Sequence, residues 1–371
     1  MQYSNIEKLG AKPSRLGFGC MRLPTTPEGA IDEPRAAAMI DRAIKAGVNY
    51  FDTAFFYHKR QSEAFVGKTL KKYPRESFYL ATKLPLSLIH SLEEAKEIYA
   101  GQFATLQVDY VDFYLLHAIN GKRWREMRDN GVVDFLLKEQ KAGRIRYLGF
   151  SFHDDYAAFE EIITARDWDF CQLQFNYMDI DTQAGMKGYE LATKLGVPVI
   201  VMEPVKGGSL ATLSDDVAEL MRAERPDKSL ASWAMRWVGS LDNCRVILSG
   251  MTTEEQVEDN LATFEHFEPL SEREQEIIAK TRDAIRAKQF IGCTNCRYCM
   301  PCPFGVAIPR NFSMMNAFAM YGNEKRLQGW WQEAAEEERA SACKQCGKCE
   351  TVCPQGLAIR DKLAEIAQRM A

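Results

Sequence analysis

The chain has 371 residues, 46% hydrophobic and 26% charged, with 47 basic against 51 acidic side chains and a formal charge of −4. That is enough for roughly two globular domains, but it supplies neither the basic block of a nucleic-acid binder nor the apolar run of about 18 residues that spans a bilayer. The N-terminal MQYSNIEKLGAKPSR lacks the charged-then-apolar order of a signal peptide, so a cytoplasmic location is expected.

From residue 14 to about 250, short β-rich runs alternate with longer amphipathic stretches. The runs are RLGFGCMRL, VNYFDTA, SFYLATKL, VDFYLLH, IRYLGFSF, FCQLQFNYM, VPVIVMEP and CRVILSGM. Between them lie helical patterns such as EPRAAAMIDRAIKAG and SLEEAKEIYAGQFATL, with apolar residues at helical spacing. Gly47, Gly143 and Gly196 stand where a helix must stop before the next strand. Strict alternation forces a parallel sheet, because parallel strands need crossover helices. Eight units suggest an α/β fold closed into a (β/α)8 TIM barrel. A doubly wound sheet is the alternative, although no G-x-G-x-x-G follows a strand to favour it. The charged helix LSEREQEIIAKTRDAIRAKQF (270–290) marks the expected boundary, giving a barrel over 1–285 and a second module over 286–371. About forty helical-looking residues separate two cysteine clusters there, so this module is expected to be mainly α-helical.

Eight of the eleven cysteines fall in those two clusters; Cys20, Cys171 and Cys244 lie in apolar, strand-like stretches and read as buried thiols. The second cluster, C-K-Q-C-G-K-C-E-T-V-C-P from Cys343, has the C-x2-C-x2-C-x3-C-P spacing of bacterial-type [4Fe–4S] ferredoxins. The first, from Cys293, has two rather than three residues before its last cysteine. A cubane needs four thiolates, and the cysteine before proline leaves on an extended path towards the other cluster. Crossed ligation follows: Cys293, Cys296, Cys299 and Cys353 for one [4Fe–4S] cluster, and Cys343, Cys346, Cys349 and Cys302 for the other. The shortened first motif leaves a single cluster open, and a zinc knuckle is the remaining alternative.

Three ionisable residues sit where strands end: Asp52 in YFDTA, Lys83 in YLATK and His117 in YLLH, with Tyr57 in the loop after the second strand. Barrel active sites form at the carboxyl ends of strands, and strands 2, 3 and 4 are neighbours. An Asp–Lys pair beside a phenol is expected to lower the tyrosine pKa and ready it for proton exchange, while the imidazole polarises a substrate oxygen.

These residues carry a resemblance to the aldo/keto reductase family. YFDTAFFYHKRQSEAFVGKTL resembles its D-T-A-x-x-Y…S-E…G signature, and ATK and D-x-Y-L-L-H its other landmarks, over roughly residues 1–285. The resemblance implies an oxidoreductase interconverting a carbonyl and an alcohol by hydride transfer with NAD(P)H. Tyr57 would be general acid/base, Lys83 and Asp52 its tuning pair, and His117 the orienter. Ser151 and Gln172 would meet the nicotinamide carboxamide, and Lys206, Gly207 and Gly208 a phosphate. Gly250, Thr252, Gln256 and Asn260 would lie at the adenine end; as a purely structural alternative, that stretch is a T-x-x-Q capped helix start. Gly250 and Gln256 stand where NADPH-preferring members place cations, with Glu254 and Glu255 nearby, so NADH is expected to serve at least as well. Met202 replaces the aromatic ring that many members stack on nicotinamide. Arg22, ending the first strand, is expected to bind an anionic group of substrate or cofactor. Barrels with ferredoxin tails form a subgroup that the chain is similar to.

Hydride chemistry moves two electrons together, whereas a [4Fe–4S] cluster moves one. A flavin or a redox partner protein therefore enters as a second expectation, in which clusters feed a flavin or the substrate. A cluster-based redox sensor on a barrel scaffold is the third.

Overall fold

The computed structural model describes residues 1–371. All eight β-rich runs form strands: β1 (Leu16–Gly19), β2 (Tyr50–Asp52), β3 (Tyr79–Leu84), β4 (Val111–Ile119), β5 (Ile145–Phe152), β6 (Phe170–Gln174), β7 (Val199–Met202) and β8 (Cys244–Gly250). They pair in parallel, in sequence order, and β8 closes on β1 with Leu16 opposite Ile247 and Gly19 opposite Gly250. The sheet is therefore a closed (β/α)8 barrel, and the doubly wound alternative is excluded.

The crossovers are α1 (Glu33–Lys45), α2 (Ser62–Leu70), α3 (Leu92–Leu106), α4 (Gly121–Asp129), α5 (Val132–Lys141), α6 (Tyr156–Thr164) and α7 (Gly185–Lys194). Two more, α8 (Asp215–Arg222) and α9 (Leu230–Gly239), lie between β7 and β8, and α10 (Glu254–Glu265) follows β8. Helix starts use the local chemistry: Ser91 and Glu94 form a capping box on α3, and Asp32 caps α1 ahead of a proline. The three glycines expected at helix ends all take positive φ, 94° at Gly47, 81° at Gly143 and 67° at Gly196.

Side chains alternate along each strand between two apolar layers. Tyr50, Phe113, Phe170, Ile200 and Val246 cluster in the barrel interior. A larger cluster, including Phe51, Tyr114, Phe150 and Val201, fills the space beneath the helices. Interior packing fixes Gly149: a Cβ there would stand 2.6 Å from the Phe170 ring.

By compactness the chain divides into two units, Met1–Lys206 with Ser232–Leu270, and Gly207–Ala231 with Ser271–Ala371. In the second, α11 (Glu272–Ala287) is tied to the α8 segment by Lys288 to Asp216, 2.7 Å, and Arg225 to Glu274, 3.2 Å. Beyond it come α12 (Ile308–Tyr321), α13 (Glu324–Glu333), the short α14 (Lys348–Thr351) and α15 (Ile359–Arg369). Val306, Ile308, Phe312, Leu327, Leu363 and Ile366 form their core. No helix is long and apolar enough to cross a membrane.

Candidate active site and cysteine cavities

Asp52 ends β2 and Lys83 stands one residue from the end of β3, both almost wholly buried. Lys83 Nζ donates to Asp52 Oδ1 at 2.5 Å, to the Thr53 carbonyl at 2.9 Å and to the Tyr57 hydroxyl at 3.1 Å, which uses all three ammonium hydrogens. Burial works against the Lys83 charge, but Asp52 and Tyr57 outweigh it and its pKa is raised. Burial also pushes the Tyr57 phenol up; Lys83 pulls it down, and the net shift is upward. The expected lowering is thus corrected: desolvation of the phenolate exceeds the pull of the ammonium, part of which Asp52 cancels.

His117 lies in β4, with its ring 6.2 Å from that of Tyr57. Burial, helped by the nearby Lys83 charge, depresses its pKa to about 3, so the imidazole is neutral at physiological pH. Its buried Nδ1 has no partner. Phe56, 42% exposed, lies 6.2 Å from the His117 ring and supplies an apolar wall.

The loop that aims Tyr57 is strained. His58, Lys59 and Arg60 have φ of 49°, 53° and 73°. Non-glycine residues in the left-handed region cost on the order of 1–3 kcal/mol each and persist where surroundings fix them. His58 Nε2 accepts from the Leu23 N–H at 3.1 Å, tying this loop to the one that follows β1.

Other residues of the D-T-A-x-x-Y…S-E…G segment support the strands. The Ser62 hydroxyl lies 2.8 Å from that of Thr53 and donates to the Cys20 carbonyl. Glu63 Oε1 accepts from Thr82 and from Gln102 Nε2, both at 2.6 Å, and Gln102 Nε2 also donates to the Lys83 carbonyl. Gly67 lets α2 meet the end of α3: a Cβ would fall 2.3 Å from the Leu106 carbonyl oxygen. Gln102 was missed in sequence because helical spacing alone makes it one more polar helix residue.

The residues expected at the cofactor are variously engaged. Ser151 Oγ accepts from the Ala118 N–H at 2.8 Å and keeps its own hydrogen to donate. Gln172 Nε2 donates to Asp52 Oδ2 at 3.0 Å, joining the buried cluster. Lys206 is held 2.6 Å from both Asp179 carboxylate oxygens, so its charge is already offset. Gly207 and Gly208 take φ of 62° and 94°. Gln256 closes a capping box with Thr253 and accepts from the Thr252 N–H, and Asn260 donates to Ser249. The capped helix start is therefore present whatever else this stretch does. Thr252 Oγ1 donates to the Arg22 carbonyl, and the Arg22 stem lies against Gly250, where a Cβ would stand 3.1 Å from it. Glu254 is gripped by Arg35 at two points, with Arg35 Nη2 at 2.6 Å. Met202 packs against the barrel interior.

In the second unit, the eight clustered cysteines line two cavities. One, of about 150 Å³, is lined by Cys302, Cys343, Cys346, Cys349 and Cys299, the last of which also lines the other cavity. The other, of about 20 Å³, is lined by Cys293, Cys296, Cys299 and Cys353. Each C-P cysteine thus faces the cavity of the other motif. Four cysteines line the smaller hollow and five the larger, thiol donors of the kind a cubane takes, and despite the shortened spacing Cys302 is among them. Cys20, Cys171 and Cys244 are buried, and burial pushes all three thiols up.

The aldo/keto reductase family model matches residues 15–283, and that of the 4Fe-4S dicluster domain residues 292–358. The chain belongs to the aldo/keto reductase family of oxidoreductases and carries an iron–sulfur dicluster domain after the barrel. It is similar to a probable aldo-keto reductase 1 of Glycine max, 30% identical over 38% of this chain and 42% of that protein, so the chain covers under half of that relative. It is also similar to the NADH-specific methylglyoxal reductase of Escherichia coli, 24% identical over 67% of this chain and 89% of that one. Among solved structures it resembles the holo form of aldo-keto reductase AKR11C1 from Bacillus halodurans. The TM-score is 0.63 and the identity 26%, over 76% of this chain and 96% of that one.

Proposed function

We propose that the barrel interconverts a small carbonyl compound and its alcohol, with a nicotinamide cofactor and with Tyr57 as general acid/base. The observation that carries this is the Tyr57 hydroxyl, 3.1 Å from a buried ammonium that rests on Asp52. Bound nicotinamide would supply or accept the hydride. In reduction, Tyr57 gives its proton to the substrate oxygen, and the Lys83 N–H stabilises the phenolate left behind. Its upward-shifted pKa keeps Tyr57 protonated at neutral pH, the form that a donor needs. The neutral His117 orients the substrate oxygen without placing a second cation beside Lys83. Ser151, with its hydroxyl hydrogen free, and the Gln172 amide oxygen are the groups suited to a carboxamide. Arg22 lies exposed over Gly250 and is suited to a cofactor phosphate or a substrate carboxylate.

We propose also two [4Fe–4S] clusters with crossed ligation, Cys293, Cys296, Cys299 and Cys353 holding one and Cys302, Cys343, Cys346 and Cys349 the other; the cysteines that line the two cavities support this. The barrel reading is tested with anaerobically reconstituted protein. NADH or NADPH oxidation should depend on an added aldehyde or ketone, and no turnover across a panel of small carbonyls with either cofactor would refute it.

A further inference from the structure

We propose that the face around the Cys302–Cys343–Cys346–Cys349 cavity is the docking surface for a small acidic protein that carries one electron at a time. This rests on the reading that the two cavities hold iron–sulfur clusters.

The chain exposes nine large apolar side chains, and three of them, Tyr298 (69%), Phe304 (42%) and Val352 (43%), line this one cavity. Grouped apolar exposure of this kind marks contact surfaces, whereas single exposed residues need no explanation. The same wall carries Lys344, Lys348 and Arg360. Both lysines are exposed and make no ion pair, while Arg360 is joined to Glu350 at 2.8 Å. Of the nearby acids, Glu350 is therefore neutralised, Asp361 acts on the same Arg360 guanidinium, and neither Asp361 nor Glu337, beside Gly305, lines either cavity, so the two lysines carry the positive rim. A positive rim around an apolar centre, in a chain of net charge −4, is a local departure that favours a negatively charged partner. The second cavity has neither feature: Arg297 is its one charged lining residue, and none of the nine exposed apolar side chains lines it.

The chemistry calls for such a partner. A hydride is two electrons moved together, and a cubane exchanges one, so electrons pass singly between the module and the outside. At each encounter the reduced carrier loses one electron and the module gains one, with no bond made or broken and no proton moved. Two encounters move as many electrons as one hydride carries, and the proton of the hydride takes no part in them. Redox encounters of this kind use small interfaces steered by charge.

The test uses reconstituted full-length protein and, as probe, a reduced plant-type [2Fe–2S] ferredoxin, followed by anaerobic stopped-flow. The rate constant for reduction should fall about tenfold or more between low and high salt. Lys344→Glu/Lys348→Glu should lower the low-salt rate about as much, and Phe304→Ser should lower it at every salt concentration. Iron and sulfide content, and reduction by dithionite, should be unchanged in these variants. A ferredoxin rate indifferent to salt and to charge reversal, with iron intact, would overturn the proposal. So would a dimer of this chain that the lysine reversals dissociate, since a second copy would then cover the face. Should charge reversal impair iron loading, the salt dependence of the wild type and a Lys344→Gln/Lys348→Gln variant decide. A wild type that never takes up iron would sink the cluster reading itself.

Discussion

Gln172 on β6 donates to Asp52 Oδ2 on β2 at 3.0 Å and occupies the carboxylate oxygen that Lys83 does not hold. The buried ion pair is thereby completed by a neutral amide. Gln172→Leu should leave that oxygen unpaired and destabilise the protein by about 1–3 kcal/mol, measured by denaturant unfolding without cofactor. Were Gln172 only a cofactor contact, stability without cofactor would be unmoved.

The pH dependence follows from the two shifted groups. His117, at about 3 in the folded protein against 6.5 in an open chain, stays neutral, so carbonyl reduction should show no acid limb from it above about pH 4. The reduction rate should fall only in the alkaline range, as Tyr57 ionises, and alcohol oxidation should rise there. Stability takes the opposite sense from that of a paired histidine. Below 6.5 the unfolded chain binds a proton that the folded one refuses until about 3, so stability falls with pH across that window. His117→Gln should accordingly unfold at lower pH than the wild type in an acid titration.

Arg22 and Arg35 bear on cofactor choice. Arg35 already neutralises Glu254, and Gln256 is engaged in its capping box, which leaves Arg22 as the cation beside Gly250. NADH should be used at least as well as NADPH unless Arg22 itself meets the 2′-phosphate, and kcat/KM for the two cofactors in the wild type and in Arg22→Met separates the two cases. Arg22→Met should raise KM for cofactor or substrate several-fold while leaving kcat within about twofold, as expected for a group that binds ground and transition states alike. Unchanged KM values for both would make Arg22 a surface residue without a ligand.

Crossed ligation makes a distinctive prediction for Cys353→Ala. The lost cluster should be the one shared with Cys293, Cys296 and Cys299, although Cys353 follows Cys349 in sequence. Iron should fall from about eight to about four per chain, and the remaining cluster should survive, its four cysteines being intact. Loss of the cluster at Cys343, Cys346 and Cys349 instead would refute the crossing.

Strand order, closure and the approach of Asp52, Lys83 and Tyr57 were legible because they rest on local signals: period, glycine stops and strand-end positions on adjacent strands. The sign of the Tyr57 shift was not, since burial depends on every surrounding element and outweighs the one ammonium that the motif reveals. Contacts between distant segments were equally hidden, among them Gln172 with Asp52, 120 residues apart, and Lys206 with Asp179. The left-handed run His58–Arg60 left no trace either, as none of those residues is a glycine. The added helices α8 and α9 before β8, and α15 after the last cysteine, carry ordinary amphipathic patterns that mark no place in the topology.

The central claim is that Tyr57 transfers the proton in a nicotinamide-linked carbonyl reduction. Tyr57→Phe removes that proton while keeping the ring and its place beside Lys83. With cofactor binding and iron content checked as unchanged, steady-state reduction of a carbonyl substrate by the variant should fall at least about a hundredfold in kcat, the lower range for loss of a general acid. A variant that keeps most of its kcat would contradict the account.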